Sequence, residues 1–71
     1  MNISKSIAIA IRTLEFNIAM LNGGIDYLEK EGLSKRAKKL KTHRDELQLE
    51  LRQLKGQQIS SLIPAVKYES N

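Results

Sequence analysis

Ile7, Ile11, Leu14, Ile18, Leu21, Ile25 and Leu28 follow one another at alternating spacings of four and three. This unbroken heptad series keeps one side of a helix apolar. Ile9, Thr13, Phe16, Met20, Gly23 and Tyr27 form a second series with the same spacing, and it lies on the opposite side. A surface helix carries one apolar stripe and a charged back, so a helix apolar on two sides must be covered on two sides. One hairpin partner covers only one of them.

Size sharpens the point. At 71 residues the chain is at most one domain, and a chain this short buries little surface without staples or oligomerisation. It contains no cysteine, so neither disulfides nor a thiolate metal site can supply the missing stability. Association with another chain is the remaining remedy. With 41% hydrophobic and 28% charged residues and a single proline, the composition is that of a folded helical chain and not of a disordered one. The apolar run ahead of Arg12 is only Ile7 to Ile11, shorter than the roughly 7 to 15 residues of a secretory leader core or the roughly 20 of a membrane span. The expectation is therefore a soluble cytoplasmic protein that makes no membrane contact.

Ser4 and Ser6 are both candidate N-caps for the first helix. From there to Leu21 the only charges besides Lys5 are Arg12 and Glu15, which suits the centre of a bundle, and Ala8, Ala10 and Ala19 beside the stripes would let neighbouring helices approach. Asn22-Gly23-Gly24 could cap and end the helix. Because Leu21, Ile25 and Leu28 keep their phase across the glycines, the helix is expected to run through, with a kink or a short third helix over 25–31 as the alternative. A continuous helix places Gly23 on the second stripe, where its missing side chain would admit another backbone.

The turn is expected at 32–34, with Gly32 as the C′ residue of the first helix and Ser34 as the N-cap of the second. The second helix, about 35–58, carries Ala37, Leu40, Leu47, Leu51 and Leu54 in one stripe, and Arg44 stands where an apolar residue would continue it. Antiparallel folding pairs residues whose numbers sum to about 65, such as Ile25 with Leu40 and Ile18 with Leu47, and puts Arg44 beside Leu21 and the glycine pair. After Gly56 the pattern degrades, and Pro64 forbids a continuing helix. A tail over 59–71 is expected, with an apolar patch from Leu62 to Val66 as an arm on a neighbouring subunit or a frayed end.

Lys35, Arg36, Lys38, Lys39, Lys41 and Arg44 place six cations in ten positions without an intervening acid. Outside 26–44 the five basic and five acidic residues cancel, so the whole formal charge of +4 belongs to the hairpin tip. Cations in the first turn of a helix oppose its macrodipole. Two readings account for them. In one, Asp26, Glu29 and Glu31 across the turn pair with Lys35 and Lys38 as an ordinary solvated cluster; in the other, the tip binds an anion. The cations wrap around the helix axis and no aromatic residue lies among them, so end-on phosphate contact fits better than groove readout or base stacking. Arg44 is expected to lay its stem over Leu40 and Leu47 and reach water or Glu29, the other possibility being an anion held beside Gly23 and Gly24.

Catalysis has little to build on. His43 is the single histidine and lacks a second histidine or cysteine for a zinc site or a nucleophile and base pair, so it is expected as a partly buried residue at the helix interface. Asp45, Glu46 and Glu50 are expected to pair with Lys41, Arg52 or solvent. No glycine-rich phosphate loop is present, because Gly23-Gly24 follows a helix.

The expected fold is all-α, an antiparallel two-helix hairpin with helices over about 4–31 and 35–58, assembling as a homo-oligomeric helical bundle, by default a dimer with four helices. The expected function is non-enzymatic and free of cofactor or metal. In the preferred reading a basic tip of Lys35, Arg36, Lys38, Lys39, Lys41 and Arg44 engages nucleic acid or a small phosphorylated ligand. In the alternative the chain is an adaptor or inhibitor that binds a protein. Ile9, Phe16, Met20, Gly23, Tyr27, Leu62 and Ile63 are the candidate residues for the oligomer or partner interface.

Overall fold

The computed structural model describes residues 3–62, with side chains over 5–59. Two helices, α1 (Ile3–Lys30) and α2 (Ser34–Leu62), fold back on each other as an antiparallel hairpin, and no strand occurs among the described residues. α1 spans 28 residues, about 42 Å at 1.5 Å per residue. It begins ahead of Ser4 and Ser6, so both lie inside its first turns and neither caps it.

α1 runs through Asn22-Gly23-Gly24 without a break. Two glycines cost roughly 1 kcal/mol each in a helix interior, and the in-phase stripe on either side of them supplies the packing that holds the helix together. The two glycines face different surroundings. A Cβ built on Gly24 would stand 3.3 Å from Leu40 Cδ1, closer than an ordinary carbon contact, so the missing side chain lets α2 close in. The same construction on Gly23 meets nothing within 4 Å.

The turn is a Schellman motif. Leu33 N–H donates to the Leu28 carbonyl at 2.9 Å and Gly32 N–H to the Glu29 carbonyl at 3.1 Å, which satisfies carbonyls the end of α1 would otherwise leave open. Gly32 has φ +76°, a left-handed conformation that costs a side-chain-bearing residue roughly 1 to 2 kcal/mol. Ala37 N–H donates to the Leu33 carbonyl at 3.0 Å. Leu33 therefore holds the N-cap position, one residue ahead of the expected Ser34.

The core is the first stripe of α1 closed against α2: Ile11, Leu14, Ile18, Ile25 and Ala37 are buried. Leu21, Leu28, Leu40, Leu47, Leu51 and Leu54 are half-buried, as are Arg44 and Gln58, which continue the α2 stripe. Ala37 keeps 1% of its surface exposed; its small side chain brings the helices together next to the turn. Gly24 meets Leu40 and Asn22 meets Arg44, the pairing that antiparallel register requires.

α2 differs from expectation at its far end. It continues through Gly56 to Leu62 instead of stopping near 58. Gln58 prolongs the inward row at heptad spacing. Leu62 marks the end of α2, but its side chain, together with Ile63 and the rest of the Leu62–Val66 patch, lies outside the described residues.

Two substitutions test this architecture by urea unfolding followed at 222 nm. Gly32→Ala should cost roughly 1 to 2 kcal/mol by straining the turn. Ile25→Ala, at the best-buried position of α1, should cost about 2 to 5 kcal/mol, a large part of the stability of so small a chain.

Candidate anion-binding tip and outer face of the first helix

The expected tip residues fall into two groups. Lys41 and Arg44 are half-buried and held by their own chain. Lys41 Nζ forms an ion pair with Glu29. Arg44 donates from Nη1 to Asn22 Oδ1 at 3.0 Å and from Nε to Asp45 Oδ1 at 3.2 Å, with Nη2 3.1 Å from the same oxygen. The stem of Arg44 lies in the α2 stripe as expected. Its guanidinium does not reach Glu29: Arg44 stands level with Asn22, and Glu29 lies seven residues further along α1, about 10 Å at 1.5 Å per residue.

Lys35, Arg36, Lys38 and Lys39 are exposed. None of the four forms an ion pair among the described residues. The expected exchange of Lys35 and Lys38 with Asp26, Glu29 and Glu31 is therefore absent: Glu29 turns to Lys41, and Asp26 and Glu31 form no ion pair among the described residues. Four cations gather within five positions at the first turn of α2, where the macrodipole opposes them. Beside them Gly32, Leu33, Ser34, Lys35 and Arg36 line an open depression of about 340 Å³.

Polar contacts close one flank of the hairpin. Glu15, Asn22 and Glu29 recur at intervals of seven along α1, and each reaches across to α2: Glu15 to Lys55 at 3.5 Å, Asn22 to Arg44, and Glu29 to Lys41. The opposite flank of α1 carries Ala10, Asn17 and Gly24, again seven apart. On this side lies an open groove of about 330 Å³, lined by Asn17, Met20, Leu21, Leu40, His43 and Leu47.

The second stripe of α1 faces outward. Ile9, Phe16, Met20 and Tyr27 are 57%, 65%, 62% and 62% exposed, and Thr13 and Gly23 are exposed between them. Thr13 Oγ1 donates to the Ile9 carbonyl at 3.0 Å, so its hydroxyl is satisfied within the helix. Met20 belongs both to this stripe and to the groove, which makes the two a continuous apolar surface.

His43 is exposed at the rim of the groove, its Nδ1 3.7 Å from Glu46 Oε1, rather than partly buried as expected. Among the described residues no group of three His, Asp or Glu could hold a metal ion. No described helix is long and apolar enough to cross a membrane. Sequence reasoning missed the ion pairs Glu15–Lys55 and Glu29–Lys41, although the sevenfold recurrence of Glu15, Asn22 and Glu29 was there to be read.

Arg44 interrupts an otherwise apolar row, so its replacement is informative. An exposed hydrogen bond contributes about 0.5 to 1.5 kcal/mol, while burying a leucine contributes roughly 1.5 to 3 kcal/mol. With the position only half-buried, about half of that leucine gain is available, so Arg44→Leu should shift stability by no more than about 1 kcal/mol in either direction. A large loss of stability would show that the Asn22 contact matters more than the packing beneath it.

No protein-family model, curated protein or solved structure matches this chain.

Proposed function

We propose that this chain is a non-enzymatic binding protein, a homo-oligomer of helical hairpins whose basic ends engage a polyanion, nucleic acid foremost. The observation that carries the reading is the freedom of Lys35, Arg36, Lys38 and Lys39: four exposed cations in one turn and a half of helix, with no ion pair among the described residues. Placing like charges together at the positive end of a helix costs stability. A cost of this kind, left uncompensated by the acids across the turn, is what an anion would repay on binding.

A polyanion fits the shape better than a small ligand. Small-molecule sites bury most of their ligand in a concave pocket, whereas the depression at Lys35 and Arg36 is wide open and Lys38 and Lys39 are exposed outside it. Contacts from flexible lysines to phosphates bring counterion release and little sequence preference. Lys41 and Arg44, being engaged within the hairpin, contribute field more than direct contact. Self-association supports the same reading, since two or more basic ends on one particle bind a continuous polyanion more tightly than one.

Fluorescence anisotropy with a labelled DNA duplex and a labelled single strand tests it. With about four phosphates neutralised per end, the affinity should fall roughly a hundredfold between 50 and 200 mM salt. Reversing Lys35, Arg36, Lys38 and Lys39 together to glutamate should abolish binding, while Lys41→Gln should weaken it only slightly. Retained binding by the fourfold reversal would remove the tip from consideration. Binding of a protein that is lost in Phe16→Asp and kept in the charge reversal would instead favour the adaptor or inhibitor reading.

A further inference from the structure

We propose that the outer face of α1 is covered by the same face of a second copy, with the two α1 helices antiparallel about a two-fold axis at the level of Ile18. This rests on the self-association proposed above and names its surface, direction and register.

The hairpin leaves one way in. α2 occupies the first stripe of α1, and the flank of Glu15, Asn22 and Glu29 is laced to α2 by polar contacts. Open are the outward stripe of Ile9, Phe16, Met20 and Tyr27 and the groove that continues it. Satisfaction of the Thr13 hydroxyl by the Ile9 carbonyl means that covering this stripe strands no donor there, as a dry interface requires.

Charge chooses the direction. On the far edge of the stripe, Lys5, Arg12, Ala19 and Asp26 form a row seven residues apart. Arg12 and Asp26 are exposed and form no ion pair among the described residues. In a parallel pair this edge would face the opposite flank of the partner, Arg12 against the partner's Asn17 and Asp26 against the partner's Glu31, so neither would meet a counter-charge, and both basic tips would lie at one end. In the antiparallel pair each apolar position meets one whose number complements it to 36: Ile9 meets the partner's Tyr27, and Phe16 meets the partner's Met20. Arg12 then meets the partner's Asp26 twice over by symmetry, and Ala19 meets its own copy near the axis, where its small side chain allows close approach. The basic tips are carried to opposite ends, about 42 Å apart for Gly32 and the partner's Gly32 at 1.5 Å per residue. The apolar stripe can pack on its copy in either direction, but its charged edge is self-complementary only in the antiparallel one, and that selects this isologous interface.

Charge exchange in the full chain tests the proposal, with the Kd for dimerisation read by sedimentation equilibrium at 50 mM salt. Arg12→Glu and Asp26→Arg should each weaken dimerisation roughly 10- to 30-fold, because each turns two attractive contacts into two repulsive ones. The double variant should return to within about threefold of the parent. Arg12 and Asp26 lie about 21 Å apart along one helix, so restoration cannot arise inside one chain, and circular dichroism of each variant checks that the hairpin is intact. Phe16→Asp should be monomeric and helical. A parent that is monomeric at 100 µM overturns both this proposal and self-association. A dimer indifferent to either single exchange, or not restored by the double, overturns the antiparallel register while leaving self-association and the basic tip standing.

Discussion

The packing of the inner stripe of α1 against α2 is the constraint from which the other features follow. Because Ile11, Leu14, Ile18 and Ile25 are buried in phase, α1 cannot break at its glycines without turning half of the stripe to solvent. Continuity there sets the approach of Leu40 over Gly24, and the same register brings Arg44 to Asn22 and Lys41 to Glu29. Shifting α2 by one residue would bring Arg36 or Lys38 to the place of Ala37, where almost no surface is left exposed. Burial of an unpaired cation there is far costlier than an exposed ion pair could offset. The tip can be crowded with cations because the register is held further down the hairpin.

What could be read in the sequence is what depends on period and backbone. The two helices, the passage through Gly23-Gly24, the left-handed Gly32 and the antiparallel pairing all follow from spacing and from the conformational demands of glycine. What could not be read depends on distances between long side chains. Whether Glu29 meets Lys35, Lys38 or Lys41 is settled by a rotation of less than one helical turn, and exposed ion pairs are too weak to force the choice. The same holds for Arg44, whose nearest acceptors are Asn22 and the adjacent Asp45. Helix ends are the least legible feature. Leu33, not Ser34, stands at the N-cap position of α2, its carbonyl accepting the first intrahelical bond, and α2 extends to Leu62, past the expected end near 58.

The two flanks of the hairpin differ in a way that bears on assembly. Glutamates and an asparagine at sevenfold spacing direct side chains across to α2 on one flank, where a third helix would have to displace them. Ala10, Asn17 and Gly24 offer no such obstacle on the other. Attraction and exclusion act together in setting which surface a partner can reach: polar contacts close one approach, and the groove beside Met20 leaves the other open. Scattered exposed residues such as Leu49 carry no comparable meaning, since single surface apolar residues are ordinary.

Stability and binding are linked through the outer stripe. A hairpin with five buried residues among those described has a thin core for holding two helices together, and isolated helices depend on packing for most of their stability. Covering Phe16, Met20 and Tyr27 in a second copy adds apolar burial that the single chain lacks, so in the proposed pair folding and association are one equilibrium that shifts with concentration. Antiparallel pairing also removes the repulsion that would arise if the two clusters of four exposed cations met at one end. A polyanion that bridges the two ends would favour the paired state over the separated one and would thereby stabilise the fold itself, by the reciprocity that any ligand selective for one state obeys. The cations that weaken the start of α2 and the apolar residues left bare on α1 are then parts of one design, each a liability in the lone hairpin and each relieved in the complex.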